Sequence, residues 1–188
     1  MIETIQSYDY LITRLNSTTK HLKAHHKILD KPEHKYLFPF YEKAMYIAIS
    51  LTDLIVGLKY LDVSRSVNNE YEANYFARNV AHMSYELINH QDKIIGEEIA
   101  KITNETIGPD PLKELKNIIK KLRLITSHHF NCLKGIRNNL YGHRIENGST
   151  MAKSMLEIDN RKIYKIGDDI FKVYFELLQK YVILISKL

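Results

Sequence analysis

NRKIYKIGDDIFKVYFELLQKYVILISKL, residues 160–188, places Ile163, Ile166, Ile170, Val173, Leu177, Tyr181, Leu184 and Leu188 at spacings of three and four. That period draws one apolar stripe along a helix and is incompatible with strand alternation. A helix of this kind must bury its stripe against another element. The fold therefore depends on whether the rest of the chain supplies matching stripes.

Moving upstream, Gly142 and the segment Glu146-Asn147-Gly148-Ser149-Thr150 form a loop. Before it, Leu115, Ile119, Leu122, Ile125 (or Thr126), His129, Leu133, Ile136 and Leu140 mark a helix starting near Leu112. Asp110 is its expected cap, and Pro111 suits a first helical position, where the missing N–H costs nothing. Asn68-Asn69 is the expected cap of a helix running to about Asn104, with Phe76, Val80, Met83, Leu87, Ile94, Ile95, Ile99 and Ile102 inward. Gly96 weakens the case for a straight rod there. A further helix is expected over about Pro39 to Leu61, with Met45, Ala48, Ile49, Thr52, Ile55, Val56 and Lys59 on its inner side. The first helix runs from about Ile2 to Leu29, with Ile5, Tyr8, Ile12, Leu15, Thr19, Leu22, His26 and Leu29 in one stripe. Asp30-Lys31-Pro32 ends it, because proline disfavours the helical region for its predecessor. The expected fold is all-α, an antiparallel bundle of four to five helices in one domain over residues 1–188. Residues 32–68 are a candidate inserted helical arm.

Composition fits this reading. Of 188 residues, 45% are hydrophobic and 26% charged, which is globular rather than disordered, and seven glycines and four prolines leave room for few, long elements. The single cysteine, Cys132, excludes an internal disulfide and suits a reducing compartment. The strongest apolar runs, Ala44–Leu51 and Tyr181–Ile185, fall far short of the ~20 residues a membrane span needs. MIETIQSYDY has no basic flank or cleavage site of a secretory signal. A cytoplasmic chain without membrane association is expected.

The formal net charge is +5, and residues 101–144 carry nine Lys/Arg against three Asp/Glu. The positive excess therefore gathers on one helix and the turn after it, where it suits an anionic partner such as nucleic acid or, equally, a solvated lysine face. The 13 tyrosines fit core edges and interfaces, because the ring can be buried while the hydroxyl stays wet. No aromatic–basic alternation along the chain marks a nucleic-acid surface.

Metal chemistry finds little support. His25, His26, His82, Glu86, His90, His128 and His129 are ligand types, and Glu86 and His90 share a helix face. A di-iron bundle needs two Glu-x-x-His motifs, and the chain contains none. His129, on an apolar stripe, reads as a hydrogen-bonded core histidine, His128 as its surface neighbour, and Cys132 as a small hydrophobe. Gly142, Gly148 and Gly167 lack the spacing of a phosphate loop.

The segment that concentrates chemistry is Arg137-Asn138-Asn139-Leu140-Tyr141-Gly142-His143-Arg144. Arg137 offers a planar fork of donors for phosphate, and His143 exchanges a proton near neutral pH. Six residues separate them, so on a continuous helix they point about 120° apart, while Tyr141 and Arg144 share the arginine's face. Convergence of Arg137 and His143 needs either unwinding near Gly142 or a second subunit across a symmetry axis. On a purely structural reading, His143 caps the helix end and Arg137 pairs with Glu86 or a carboxylate of the last helix.

This stretch resembles the signature of HEPN domains: an arginine, a polar residue, and a histidine four to six positions beyond the arginine. Arg137, Asn138 and His143 match it, and the trailing Arg144 looks like the variant of abortive-infection members. The motif also sits at the end of one bundle helix, before a loop and a final helix. The resemblance implies a metal-independent endoribonuclease without cofactor, acting as a homodimer whose two motifs line a shared cleft. It implies that His143 activates the ribose 2′-hydroxyl or protonates the leaving 5′-oxygen, with Arg137 neutralising phosphoryl charge and Asn138 orienting phosphate or histidine. Tyr141 and Arg144 are the expected substrate contacts. A toxin or anti-phage role, with an antitoxin as partner, follows from the same likeness. Non-catalytic RNA or nucleotide binding and a purely structural bundle stand as alternatives.

Overall fold

The computed structural model describes residues 2–95, 99, 101, 109–138 and 157–186, and every element among them is helical. Helix α1 is Ile2–Leu29, as its stripe predicts. Tyr8, Leu15, Leu22 and Leu29, each seven apart, are buried, and Ile5, Ile12 and Thr19 lie half-buried beside them. His26 is exposed rather than part of the stripe; its ring lies edge-on to Phe38 and Tyr41, at 6.1 and 5.3 Å. A 3-10 helix, Pro32–Leu37, then leads into α2, Phe38–Ser66.

Here the expectation is corrected in two respects. Leu51, Leu54, Leu58 and Leu61 form the buried line of α2, while Ile49 is 53% exposed and Met45, Thr52, Val56 and Lys59 are half-buried. The candidate arm, residues 32–68, is not an arm: α2 packs on α1, on α3 and on the last helix. A helix surrounded in this way is apolar over most of its circumference, so its period says little about which side faces the core. By length and composition Pro32–Ser66 is also the one described segment able to cross a membrane. Half of that apolar window is buried inside the bundle.

Helix α3, Glu70–Asn89, begins where Asn68 takes a left-handed φ of 55°, which asparagine tolerates better than most residues. Asn69 caps it: its Oδ1 accepts from the Glu72 N–H at 3.2 Å, and its Nδ2 donates to Glu72 Oε2 at 3.0 Å. The expected long helix is interrupted at His90 and resumes as α4, Gln91–Ile95. The break has partners to hold it. The Tyr174 hydroxyl donates to Leu87 O at 2.7 Å and the Thr126 hydroxyl to Gln91 Oε1 at 2.9 Å.

Helix α5, Pro109–Arg137, starts earlier than expected, with Pro109 in the opening position and Asp110 inside the first turn rather than outside it as a cap. Leu115, Ile118, Leu122 and Leu133 are its deepest residues, and Ile119, Ile125, His129 and Ile136 are half-buried. Helix α6, Asn160–Ile185, is capped by Asp159, whose Oδ1 accepts from the Lys162 N–H at 3.0 Å. Its predicted stripe is buried from Ile163 to Leu184, with Val173 half-buried; Leu188 lies outside the described residues.

Pairings between helices fix their directions. Lys59–Asp9 at 2.6 Å and the His26–Tyr41 ring contact at 5.3 Å together set α2 antiparallel to α1, and Lys121–Glu176 and Lys180–Glu114 set α5 antiparallel to α6. Asn160 meets Asn74, Tyr174 meets Leu87, and Tyr181 meets Ile94, so α3 and α6 run parallel. The start of α3, the start of α6 and the ends of α2 and α5 therefore point to one end of an antiparallel five-helix bundle.

Candidate functional site

Leu133 and the half-buried Ile136 fasten the last turns of α5 to the core, beside the later half of α3 rather than beside its start. Phe130 lies one heptad before Arg137, on the same side of the helix. Both residues meet Tyr85 of α3: the Phe130 ring is 5.6 Å from the Tyr85 ring, and the Arg137 guanidinium carbon is 5.7 Å from the same ring centroid. Cation–π contacts of this kind contribute roughly 0.5–2 kcal/mol, depending on desolvation. They also orient the flat guanidinium, which is what a phosphate-binding fork requires.

Arg137 Nη1 donates to the side chain of its neighbour, Asn138 Oδ1, at 3.3 Å. Arg137 Nε is buried and has no hydrogen-bond partner among the described residues. Lys134 adds a second cation, its Nζ 5.8 Å from the Phe130 ring centroid. Arg137 and Asn138 are thus brought together, half-buried, on the α3 side of α5. Tyr141, His143 and Arg144 lie outside the described residues.

The structural pairing of Arg137 with Glu86 does not occur. Glu86 Oε2 instead lies 3.6 Å from His90 Nδ1, one turn along α3. Tyr85 is the member of the site that the linear reading missed. The available signal was spacing: Tyr71, Tyr75, Arg78, His82 and Tyr85 recur at intervals of four and three.

Other candidate ligands are dispersed. Among the described residues no three His, Cys, Asp or Glu side chains gather as a metal site. His25 Nδ1 lies 2.9 Å from its own helix at His21 O. His129 is half-buried rather than in the core, and His128 is exposed. Burial holds the His129 imidazole below its ordinary pKa, helped by neighbouring His128, Lys162 and Lys165 and opposed by Asp169. Cys132 is half-buried and is not part of a disulfide.

Comparison of the chain with protein-family models, with curated proteins and with solved structures returns no match.

Proposed function

We propose that the chain is a HEPN-type, metal-independent endoribonuclease that acts on RNA as a homodimer. The observation that supports this reading is the arginine–asparagine pair at the end of α5, with the Arg137 guanidinium laid on Tyr85 and bonded to Asn138. In the proposed reaction the ribose 2′-oxygen attacks phosphorus, the bond to the 5′-oxygen breaks, and a 2′,3′-cyclic phosphate and a 5′-hydroxyl result. His143 takes the 2′-hydroxyl proton or delivers one to the leaving oxygen. Arg137 and Asn138 bind the phosphoryl oxygens as their charge grows, and Tyr141 and Arg144 hold the flanking substrate. A toxin or anti-phage role, with an antitoxin as partner in the cytoplasm, belongs to the same proposal.

A second reading, RNA or nucleotide binding without cleavage, draws on the same contacts, because an arginine already engaged by Tyr85 and Asn138 also serves as a fixed anion anchor. Incubating the purified protein with single-stranded RNA and excess chelator separates the two. Fragments ending in 2′,3′-cyclic phosphate are expected; binding with intact RNA would replace the enzyme by the binding module.

A further inference from the structure

We infer that the face of α3 running from Arg137 to the start of that helix is a track for single-stranded RNA, on which bases stack against Tyr75 and Tyr71 and Arg78 holds the backbone. The inference rests on the RNA reading above and adds where the strand lies. Tyr85, His82, Arg78, Tyr75 and Tyr71 form one stripe, about 21 Å long at 1.5 Å per residue. At one extreme of it, α5 covers Tyr85 with Phe130 and Arg137. Towards the start of α3 the stripe emerges, and Tyr75 is 49% and Tyr71 76% exposed.

Of the emerging rings, Tyr75 is braced by its neighbours. Tyr75 stands edge-on to Phe76 at 5.2 Å, and Phe76 stacks on Tyr60 of α2 at 5.2 Å and 19°. Arg78 lies over the Tyr75 ring at 5.5 Å; Lys59, 5.9 Å from the Tyr60 centroid at the far side of the ladder, is already paired with Asp9. Exposed aromatic rings beside a cation, here Tyr71 and Tyr75 beside Arg78, are what a sequence-tolerant single-strand surface uses, because every base has a face to stack and every nucleotide a phosphate to pair. A duplex hides its base faces and cannot use the rings. Of the carboxylates flanking the stripe, Glu72 accepts from Asn69 Nδ2 and Glu86 faces His90, while Glu70 stands exposed beside Tyr71. The arrangement leads a strand along α3 directly to the Arg137 guanidinium.

The test is fluorescence anisotropy of the full chain with a labelled single-stranded RNA of about twelve nucleotides, within the site sizes such surfaces cover. Its riboses carry 2′-O-methyl groups, so it cannot be cleaved by its own 2′-oxygen. The double variant Tyr71→Ala/Tyr75→Ala is expected to bind at least about tenfold more weakly, and Tyr71→Phe/Tyr75→Phe as well as wild type. Arg78→Ala is expected to lower the slope of log affinity against log salt by about 0.7. Tyr71→Ala alone, at the most exposed ring, guards against a folding defect, with circular dichroism as control. Unchanged affinity in the double variant, or equal binding of a duplex of the same sequence, overturns the track even where wild type cleaves RNA. Tyrosine-dependent binding without cleavage of ordinary RNA keeps the track and removes the ribonuclease. A wild-type protein that binds no RNA overturns both.

Discussion

The Tyr174 hydroxyl donates to the carbonyl oxygen of Leu87 at 2.7 Å, and both groups are buried. Leu87 lies in the last turn of α3, where carbonyls lose their partners in the helix. Seven residues on, Tyr181 repeats the bond to Ile94 at 3.1 Å. Two hydroxyls of α6 thus serve the carbonyls on either side of the break at His90, and they hold α3–α4 in register with the final helix.

Tyr174→Phe keeps the ring and strands the carbonyl, so it is expected to cost about 1–3 kcal/mol. In a chain of this size that lowers the melting temperature by about 2–4 °C per kcal/mol. Burial also pushes the Tyr174 and Tyr181 hydroxyls far above the ordinary tyrosine pKa. The folded state therefore favours their neutral form. That stability is complete below about pH 10 and declines as pH rises further. Urea midpoints between pH 8 and 11 check this, and a shallower alkaline decline in Tyr174→Phe is the expected sign.

Two helical glycines make opposite predictions. A Cβ on Gly167 would lie 2.7 Å from Val80 Cγ1 and 3.1 Å from Leu58 Cδ2, where α6 meets α3 and α2. Overpacking typically costs about 1–3 kcal/mol, against a helix-propensity gain for Gly→Ala of about 1 kcal/mol. Gly167→Ala should therefore destabilise by up to about 2 kcal/mol. Gly135 has nothing within 4 Å of its Cβ position, so Gly135→Ala is expected to stabilise by about 0.5–1 kcal/mol. Thermal unfolding of the two variants side by side tests the sign of each.

His129 supplies a dependence on acid. Its imidazole is held below the ordinary value by burial and by the positive charge of its neighbours. The folded chain prefers the neutral ring, so this contribution is complete above about pH 6.5 and is lost as pH falls through the depressed folded value. His129→Gln is neutral throughout. Its loss of stability between pH 8 and pH 5 should be smaller than that of wild type; an equal loss would show that His129 is not a source of the acid sensitivity.

The fold was legible wherever a helix buries one side. Helix α1 has its predicted bounds because Asp30-Lys31-Pro32 ends it and its apolar residues recur at three and four. The reading failed where tertiary contacts decide. In α2, Leu51, Leu54, Leu58 and Leu61 compete with Ile49 and Val56 for the inward direction, and only the positions of α1, α3 and α6 choose between them. The break at His90 depends on Tyr174, 87 residues away from its acceptor. At the site, Arg137 and Asn138 stood out as a local motif. Tyr71, Tyr75 and Arg78 did not, because a search for aromatic–basic alternation along the chain passes over groups that meet only on a helix face.

Arg137 and His143 give the last prediction, because the proposed reaction asks different things of them. His143→Ala removes the proton carrier and is expected to reduce cleavage by about 10²–10⁴-fold, the usual range for general acid–base catalysis. RNA affinity should change little, since the imidazole is not the principal phosphate contact in the proposal. Arg137→Lys keeps the positive charge but loses both the planar fork and the flat face that lies over Tyr85. It should therefore lower cleavage more than binding, whereas an arginine with a purely structural role would give a less stable protein with normal turnover by its folded fraction. Single-turnover cleavage with excess enzyme, paired with anisotropy on the 2′-O-methyl strand, separates these outcomes. Equal cleavage rates for wild type and His143→Ala would remove the histidine from the mechanism, and loss of binding alone in Arg137→Lys would make that residue an anchor rather than a stabiliser of the transition state.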